Sequence, residues 1–524
     1  MIPVTTGEEM RALDGATIQG LGLPGVVLME HAGFGVLLHM EDYFGDLEDR
    51  RILVVCGKGN NGGDGFVVAR WAMSRGAQVE VVLLTELEQL KGDALVNASV
   101  FHRLHPERLH CVPEGTKALE GLLSWSEMVV DGILGTGLAS AARGLAAQAI
   151  DLINSSGRPV VAIDISSGLS TDTGWIPGPA VDADLTVTFG LPKIAHYTFP
   201  AADLAGEVRV VDIGIPPQFV EEAGILVHLP EEMDVSFLLP PRPLNAHKGR
   251  YGHLLGIAGS PGKTGAGIMT AQAALRVGTG LVTMGVPGSL NPIYESCLLE
   301  AMTLPLPDDE GYLLESALEV VGNNLQGKTA LAVGPGLGTN PSTVALVRAL
   351  VTEVDLPMVI DADGVNALVG DLGLLKDRKA PTVLTPHPGE MARLLGASPG
   401  EVQERRLETA REFAREYGVV LVLKGAGTVT ALPDGGAYIN TTGNPGMASG
   451  GSGDVLTGII GGFLAQGMDA GDAAWAGVYL HGLAGDQASQ GKGEVALLAG
   501  DMIDAISGIM KEWEEQTSSS LIGD

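Results

Sequence analysis

Two doubly wound α/β domains in tandem are expected from this chain, on three observations. Short apolar runs rich in Val and Ile alternate with stretches of helical period. The alternation stops in a proline-rich segment and then begins again. Many of the apolar runs end in Gly, Asp, Asn or Ser, and open α/β sheets gather their ligands outside the carboxyl ends of strands.

A chain of 524 residues exceeds one ordinary core. With 45% hydrophobic and 18% charged residues, wholesale disorder is excluded. Aromatics make up only 4%, which argues against stacking platforms for single-stranded nucleic acid. The formal net charge of −31 repels nucleic acid and anionic membrane surfaces. Cys56, Cys111 and Cys297 are far apart and have no metal or disulfide spacing. The opening "MIPVTTGEEMRALDG" has neither a signal-peptide nor a transit-peptide pattern, and no apolar run is long enough to span a bilayer. A cytoplasmic protein is expected.

The elements follow in order. Thr6 with Glu9 three residues later reads as a capping box opening a helix. Pro24 suits the first turn of a second helix. The runs "RILVVC", "QVEVVLL", "MVVDGIL", "PVVAIDI" and "LTVTFG" read as strands buried on both faces. These assign residues 1–215 to a first domain. Residues 216–250, ending "LLPPRPLNAHKGR", read as a linker leading into the second domain. The second domain, 251–515, restarts with "HLLGIAGS" and the helical "AGIMTAQAALRVGTG". "TALAVGPG", "PMVIDAD", "PTVLTPH" and "VVLVLKG" continue the strands. "GTVTALPDGGAYINTT" reads as a hairpin around Pro-Asp-Gly-Gly. Long helical patterns close the domain, and 516–524 reads as a frayed tail.

The loop "CGKGNNGGDGF" contains Gly57, Gly59 and Gly62 in the G-x-G-x-x-G spacing of a dinucleotide fingerprint. A carboxylate at Asp64 would repel a pyrophosphate, however, and Glu80 is poorly placed to bind a ribose. Asn60 and Asn61 suit sugar hydroxyls, an amide or a weakly hydrated cation. Asp64 alone reads equally well as a helix N-cap. Asp131, Asp164 with Ser167, and Lys193 fall at further strand ends, and together they make a site.

"GKGNNGGDG", "DGILGTGL", "DISSGL" and "TFGLPK" resemble the NAD(P)H-hydrate epimerases, a Rossmann-like family, over residues 1–215. The resemblance implies a hydrated dinucleotide bound by Asn60, Asn61, Gly62, Gly63 and Asp64, by Gly135, Thr136, Gly137, Leu138, Ala139, Ser140 and Ala141, and by Asp164. It implies potassium on Asn61, Asp131 and Ser167. Asp164 and Lys193 are the candidates for acid–base work. The sequence departs from the family at His31, where an Asn is usual, and at Ser166, where a Pro is usual. His31 reads as structural.

In the second domain, "NPGMASGGSGDVLTGIIGG" puts Gly450, Gly451, Ser452 and Gly453 before Asp454 at a helix start. Amides there suit phosphate oxygens and developing negative charge, and an aspartate beside them can take a proton from a hydroxyl. Gly336, Asp361, Asp363, Asn366, His387 and Lys424 lie at other strand ends. The Gly-x-Gly-Asp turn resembles the ribokinase-like kinases. "TPHPGEMARLLG", "LKGAGT" and "AALRVGTGLVT" resemble their ADP- or ATP-dependent NAD(P)H-hydrate dehydratase branch, over roughly 230–515. This implies the hydrated dinucleotide on Ala266, Gly336, His387 and Asp454. It implies the adenine nucleotide on Lys424, Gly425, Ala426, Gly427 and Thr428 and on Gly453, with magnesium accompanying it. The two halves in this order resemble the bifunctional NAD(P)H-hydrate repair enzymes. Three other readings stay open on the residues alone. These are a small-molecule kinase, a first domain that only binds ligand or partner, and a nicotinamide-dependent oxidoreductase. A homo-oligomer is expected from apolar outer helices.

Overall fold

The computed structural model describes residues 1–138, 140–239 and 242–520. The chain divides into two compact units: Pro3–Leu226, and the residues from Val227 onward together with Met1–Ile2.

The first unit carries β1 (Arg51–Cys56), β2 (Gln78–Leu83), β3 (Leu109–Cys111), β4 (Met128–Gly132), β5 (Val160–Ile163), β6 (Leu185–Phe189) and β7 (Glu207–Val211). They form one parallel sheet in the order β3-β2-β1-β4-β5-β6-β7. Helices cover both faces, which is why β4, β5 and β6 are buried along their whole length and β1 at all but its first residue. On one face α2 (Gly25–Phe44), α3 (Asn60–Ser74) and α4 (Gly92–Leu104) bury Leu37, Phe66 and Phe101 against the strands. On the other, α5 (Lys117–Trp125) and α6 (Gly144–Ser155) bury Leu119, Ile150 and Ile153. The helix preceding these, α1 (Gly7–Leu21), has the expected capping box: Glu9 N–H donates to Thr6 Oγ1 at 3.1 Å and Thr6 N–H donates to Glu9 at 2.7 Å. Pro24 lies one residue outside α2, at its N-cap.

The second unit carries β8 (Val227–Leu229), β9 (His253–Ile257), β10 (Leu281–Pro287), β11 (Met302–Leu306), β12 (Ala330–Val333), β13 (Met358–Ile360), β14 (Thr382–Leu384), β15 (Val420–Leu423), β16 (Val429–Ala431) and β17 (Ala437–Ile439). They run in the order β8-β17-β16-β15-β14-β13-β12-β9-β10-β11. The central strands are parallel, and β16–β17 is the expected antiparallel hairpin. One face is covered by α9 (Thr264–Arg276), α13 (Ser452–Ala465), α14 (Ala470–Lys492) and α15 (Ala499–Ser520). Val420 and Val422 join that core. Leu421 and Leu423 point the other way and are equally buried, with α12 (Arg406–Tyr417) packed on their strand.

Within residues 216–250, the first unit extends through α7 (Pro217–Glu222) to Leu226, while β8 and α8 (Glu232–Phe237) belong to the second. The prolines there start structure, since Pro217 occupies the first helical position of α7, where no amide is needed. In the expected tail, α15 continues to Ser520, and residues 521–524 lie outside the described residues.

Candidate active sites

In the first unit, the carboxyl ends of β1, β4, β5 and β6 and one face of α1 surround a cavity of about 1040 Å³. Two of the three fingerprint glycines, Gly57 and Gly62, serve packing here, and Gly59 opens onto the cavity. A Cβ on Gly57 would lie 1.9 Å from the Ile133 carbonyl oxygen, and one on Gly62 would lie 2.1 Å from that of Gly57. Gly62 and Gly63 are buried inside α3 and do not reach the cavity wall, whereas Asn60, Asn61 and Asp64 do. Gly135, Thr136, Gly137 and Leu138 line it as well; Ser140 and Ala141 do not. Ala139 falls outside the described residues.

Asp64 is not an N-cap. Gly59 holds that position, and Asp64 sits in the second turn of α3. Burial pushes its carboxyl well above the usual range, and the charges of Asp164 and Asp14 add to the effect. Asp164 behaves oppositely. It takes the left-handed backbone conformation, φ 66°, directly after β5. Its Oδ1 accepts from Lys193 Nζ at 2.5 Å and from Thr188 Oγ1 at 3.0 Å. Burial alone would raise its pKa, but the Lys193 ammonium and these hydrogen bonds hold it below the usual value. Lys193 is fully buried and also donates to Thr188 Oγ1 and the Phe189 carbonyl. His196 accepts the Lys193 N–H at Nδ1; burial and Lys193 push its pKa down to about 3, so it is neutral.

The predicted potassium ligands also meet. Asp131 is fully buried and accepts from Ser167 Oγ, Ser167 N–H and Ile133 N–H, while burial pushes its pKa up to about 6. Ser167 Oγ and Asn61 Nδ2 both donate to the Leu134 carbonyl. Asn61 Oδ1 is buried without a hydrogen-bond donor. A neutral oxygen left in that state beside a buried carboxylate fits a weakly hydrated cation.

In the second unit the centre is Asp361, a residue that the strand-end pattern marks without giving it a role. It follows β13, is 1% exposed, and precedes Ala362 at φ 50°. Its Oδ1 accepts from Lys424 Nζ at 2.6 Å and Thr385 Oγ1 at 2.7 Å; its Oδ2 accepts from Thr457 Oγ1 at 2.8 Å. Burial would lower the Lys424 pKa, but the carboxylates of Asp361, Glu390 and Asp454 raise it.

Asp454 is the third residue of α13 and not its cap, which is Gly451 at φ 97°. Thr270 on α9 fixes the Asp454 backbone by donating to its carbonyl at 3.1 Å. Burial, then Asp361, push the Asp454 carboxyl up to about 7, with Lys424 opposing. That is the range of a general base working near neutrality. The first amides of α13 have no intrahelical partner and suit an anion. A Cβ on Gly453 would lie 3.4 Å from Lys424 Nζ, so Gly453, Lys424 and Asp361 converge. Ala266 and Gly336 also meet: a Cβ on Gly336, whose φ is 65°, would stand 3.1 Å from that of Ala266. His387 caps α11 (Pro388–Leu395), with Nδ1 accepting from the amides of Gly389 and Glu390. Lys424 leads into the Gly425–Thr428 turn, which Thr428 Oγ1 closes onto the Gly425 carbonyl at 2.8 Å.

Sequence reasoning gave no role to Asp14, Thr188, Asp361, Thr457 or His481, whose Nε2 lies 2.9 Å from the Ser452 carbonyl.

Two family models match the chain: "YjeF-related protein N-terminus" over residues 25–195 and "NAD(P)H-hydrate dehydratase" over residues 254–507. A bifunctional NAD(P)H-hydrate repair enzyme from Moorella thermoacetica is 46% identical, over 98% of this chain and 98% of its own. One from Escherichia coli is 36% identical over 94% of this chain and 90% of its own. A solved ADP/ATP-dependent NAD(P)H-hydrate dehydratase from Bacillus subtilis aligns at 34% identity and TM-score 0.48, over 55% of this chain and 99% of that one. The chain belongs to the bifunctional NAD(P)H-hydrate repair enzymes.

Proposed function

We propose that the first unit interconverts the two C6 epimers of hydrated NADH and NADPH, and that the second dehydrates the S epimer at the expense of ADP or ATP. The observation that carries this reading is the Asp454 carboxyl. It is raised to about 7 and set at an amide-rich helix start beside the Lys424–Asp361 pair. Hydroxide leaves poorly, and a phosphate ester leaves well. Asp454 takes the proton of the C6 hydroxyl as that oxygen attacks the terminal phosphoryl group. The amides of α13 stabilise the transferring charge. The N1 lone pair then expels phosphate, and loss of a C5 proton restores the dihydropyridine. Ala266, Gly336 and His387 are the candidate contacts to the hydrate, and Lys424–Thr428 and Gly453 to the nucleotide, whose phosphates bring magnesium.

In the first unit Asn61, Asp131 and Ser167 would hold potassium, whose charge offsets the buried Asp131 carboxylate. The donorless Asn61 Oδ1 supports this assignment. Among the described residues no helix is long and apolar enough to cross a membrane. A homo-oligomer fits the apolar stripe Val96, Val100 and Leu104 on α4, exposed by 49%, 36% and 56%. Sedimentation of a monomer at every concentration would refute it.

The test incubates mixed hydrate with protein, magnesium, potassium and either ADP or ATP, and follows the reduced-nicotinamide absorbance. Full recovery with either nucleotide is expected; no recovery with both overturns the reading. Comparing R-to-S exchange in potassium and tetramethylammonium salts, for the native protein and Asn61→Leu, tests the ion. The native rate should depend on potassium and that of Asn61→Leu should not.

A further inference from the structure

We infer that Asp14 is a second catalytic acid–base carboxyl of the epimer-exchange site, working with the Lys193–Asp164 pair; the inference rests on the reading of the first unit as an epimerase. Helix α1 turns Met10, Arg11, Asp14, Gly15 and Ile18 into the cavity wall, a spacing that places them on one helical face. Asp14 lies at the centre of that face. A Cβ added to its neighbour Gly15 would meet nothing within 4 Å, so the wall beside Asp14 stands open.

Two other acidic groups of this unit are held by hydrogen bonds, and Asp64, which also lines the cavity, is buried in the second turn of α3. Asp164 is held by Lys193 and Thr188, and Asp131 by Ser167 and Ile133. Asp14 is half-buried, and among the described residues nothing hydrogen-bonds to its carboxyl. The charged groups facing the same space are Lys193, Asp164, Asp64, Asp93, Lys58 and Arg11. Burial pushes Asp14 up to about 6, Lys193 lowers it and Asp164 raises it, while Asp164 itself is depressed. Two carboxyls in one cavity with pKa values driven apart are the arrangement that divides acid from base roles.

Epimer exchange at C6 asks for that division. The N1 lone pair forms a C6=N1 bond as the C6–O bond breaks, and the leaving hydroxide needs a proton to depart as water. C6 is then planar. Water adds to its other face, the C6=N1 electron pair returns to N1, and the new oxygen gives up one proton. One proton is donated and one accepted, with water the sole co-reactant. A single fixed group cannot serve both faces of a planar centre, whereas groups on α1 and after β5 come from different elements. Protonated Asp14 supplies the first proton and Asp164 takes the second; in the reverse direction the roles exchange.

The experiment follows conversion of purified R hydrate to S by chromatography, without nucleotide, across pH 5–9. Asp14→Asn should slow exchange on the order of 100-fold with little change in KM. It should also remove the pH limb near 6. Asp14→Glu should restore part of the rate with a displaced limb. The Asp14→Asn melting temperature at pH 8 should be no lower than the native one, since an unpaired carboxylate is removed. A native rate with the native pH profile in Asp14→Asn overturns the assignment. So does equal loss in both variants with lowered melting temperatures, which would make Asp14 structural. A native protein that exchanges no epimers would refute the epimerase reading itself.

Discussion

Each unit places a lysine–aspartate pair at the carboxyl ends of its parallel strands, and the two pairs are surrounded differently. Lys193–Asp164 has one supporting hydroxyl, Thr188; Lys424–Asp361 has two, Thr385 and Thr457. Each pair adjoins a non-glycine residue in the left-handed region, Asp164 itself at φ 66° and Ala362 at φ 50°. In the first unit the paired aspartate faces the cavity and is itself the candidate reacting group. In the second the pair borders Asp454, the proposed reacting group, and shifts its pKa: Asp361 raises it and Lys424 lowers it. One motif is therefore the proposed reagent in one place and the neighbour of the proposed reagent in the other.

Substituting the reacting groups should break the comparison most. Asp454→Asn should lower repair by roughly 10²–10⁴ while epimer exchange persists. Asp164→Asn, chosen because Asn tolerates the left-handed backbone, should do the reverse and leave about half of a racemic hydrate unrepaired on short timescales. Chromatography of both epimers beside the absorbance assay separates the two outcomes.

Removing the lysines tests the pairs. Lys193→Met and Lys424→Met each strand a buried carboxylate, at a cost of about 3–5 kcal/mol. The first should cost more, because Asp361 keeps two hydroxyl donors and Asp164 only one. Denaturant titration of each variant ranks them, and the opposite order would show that the hydroxyls are not the difference.

Acidity should act on the two sites with opposite sign. Asp454 must be ionised to accept a proton, so repair should fall about tenfold for each pH unit below 7. Its pKa is raised in the folded state, so its contribution to stability is present at low pH and is lost as pH rises through about 7. The Asp164 pKa is depressed, so its contribution is present above the unfolded value and is lost as pH falls through the folded one. Rate profiles and melting curves from pH 3 to 9 read both. The smallest effects should come from Thr188→Val and Thr457→Val, about 1.5–3 kcal/mol each for a hydrogen bond to a charged group.

The alternation of apolar runs exposed both sheets, because strands covered on two faces carry little else. The strand-end pattern singled out Asp131, Asp164, Lys193, Asp361 and Lys424, and parallel topology delivers the ends of each sheet to one edge. Proline content at 216–250 did not show that Pro217 begins a helix. The fingerprint spacing did not show that Gly57 and Gly62 admit neighbouring carbonyls in the fold. Asp14 was not legible. It lies on a helix outside every loop motif, and only tertiary packing brings it to the cavity. Asp361 was visible as a strand end, but its role depends on three donors from β14, β15 and α13 that no local pattern connects.

The cap at His387 fixes more than the start of a helix. Nδ1 receives amide protons from Gly389 and Glu390, so in the neutral ring the proton resides on Nε2. The exposed edge of the imidazole is therefore a donor by construction, with Glu390 Oε1 lying 3.5 Å away to orient it. As a candidate contact, that edge would present its proton to a lone pair, such as that of a carbonyl or a phosphate oxygen.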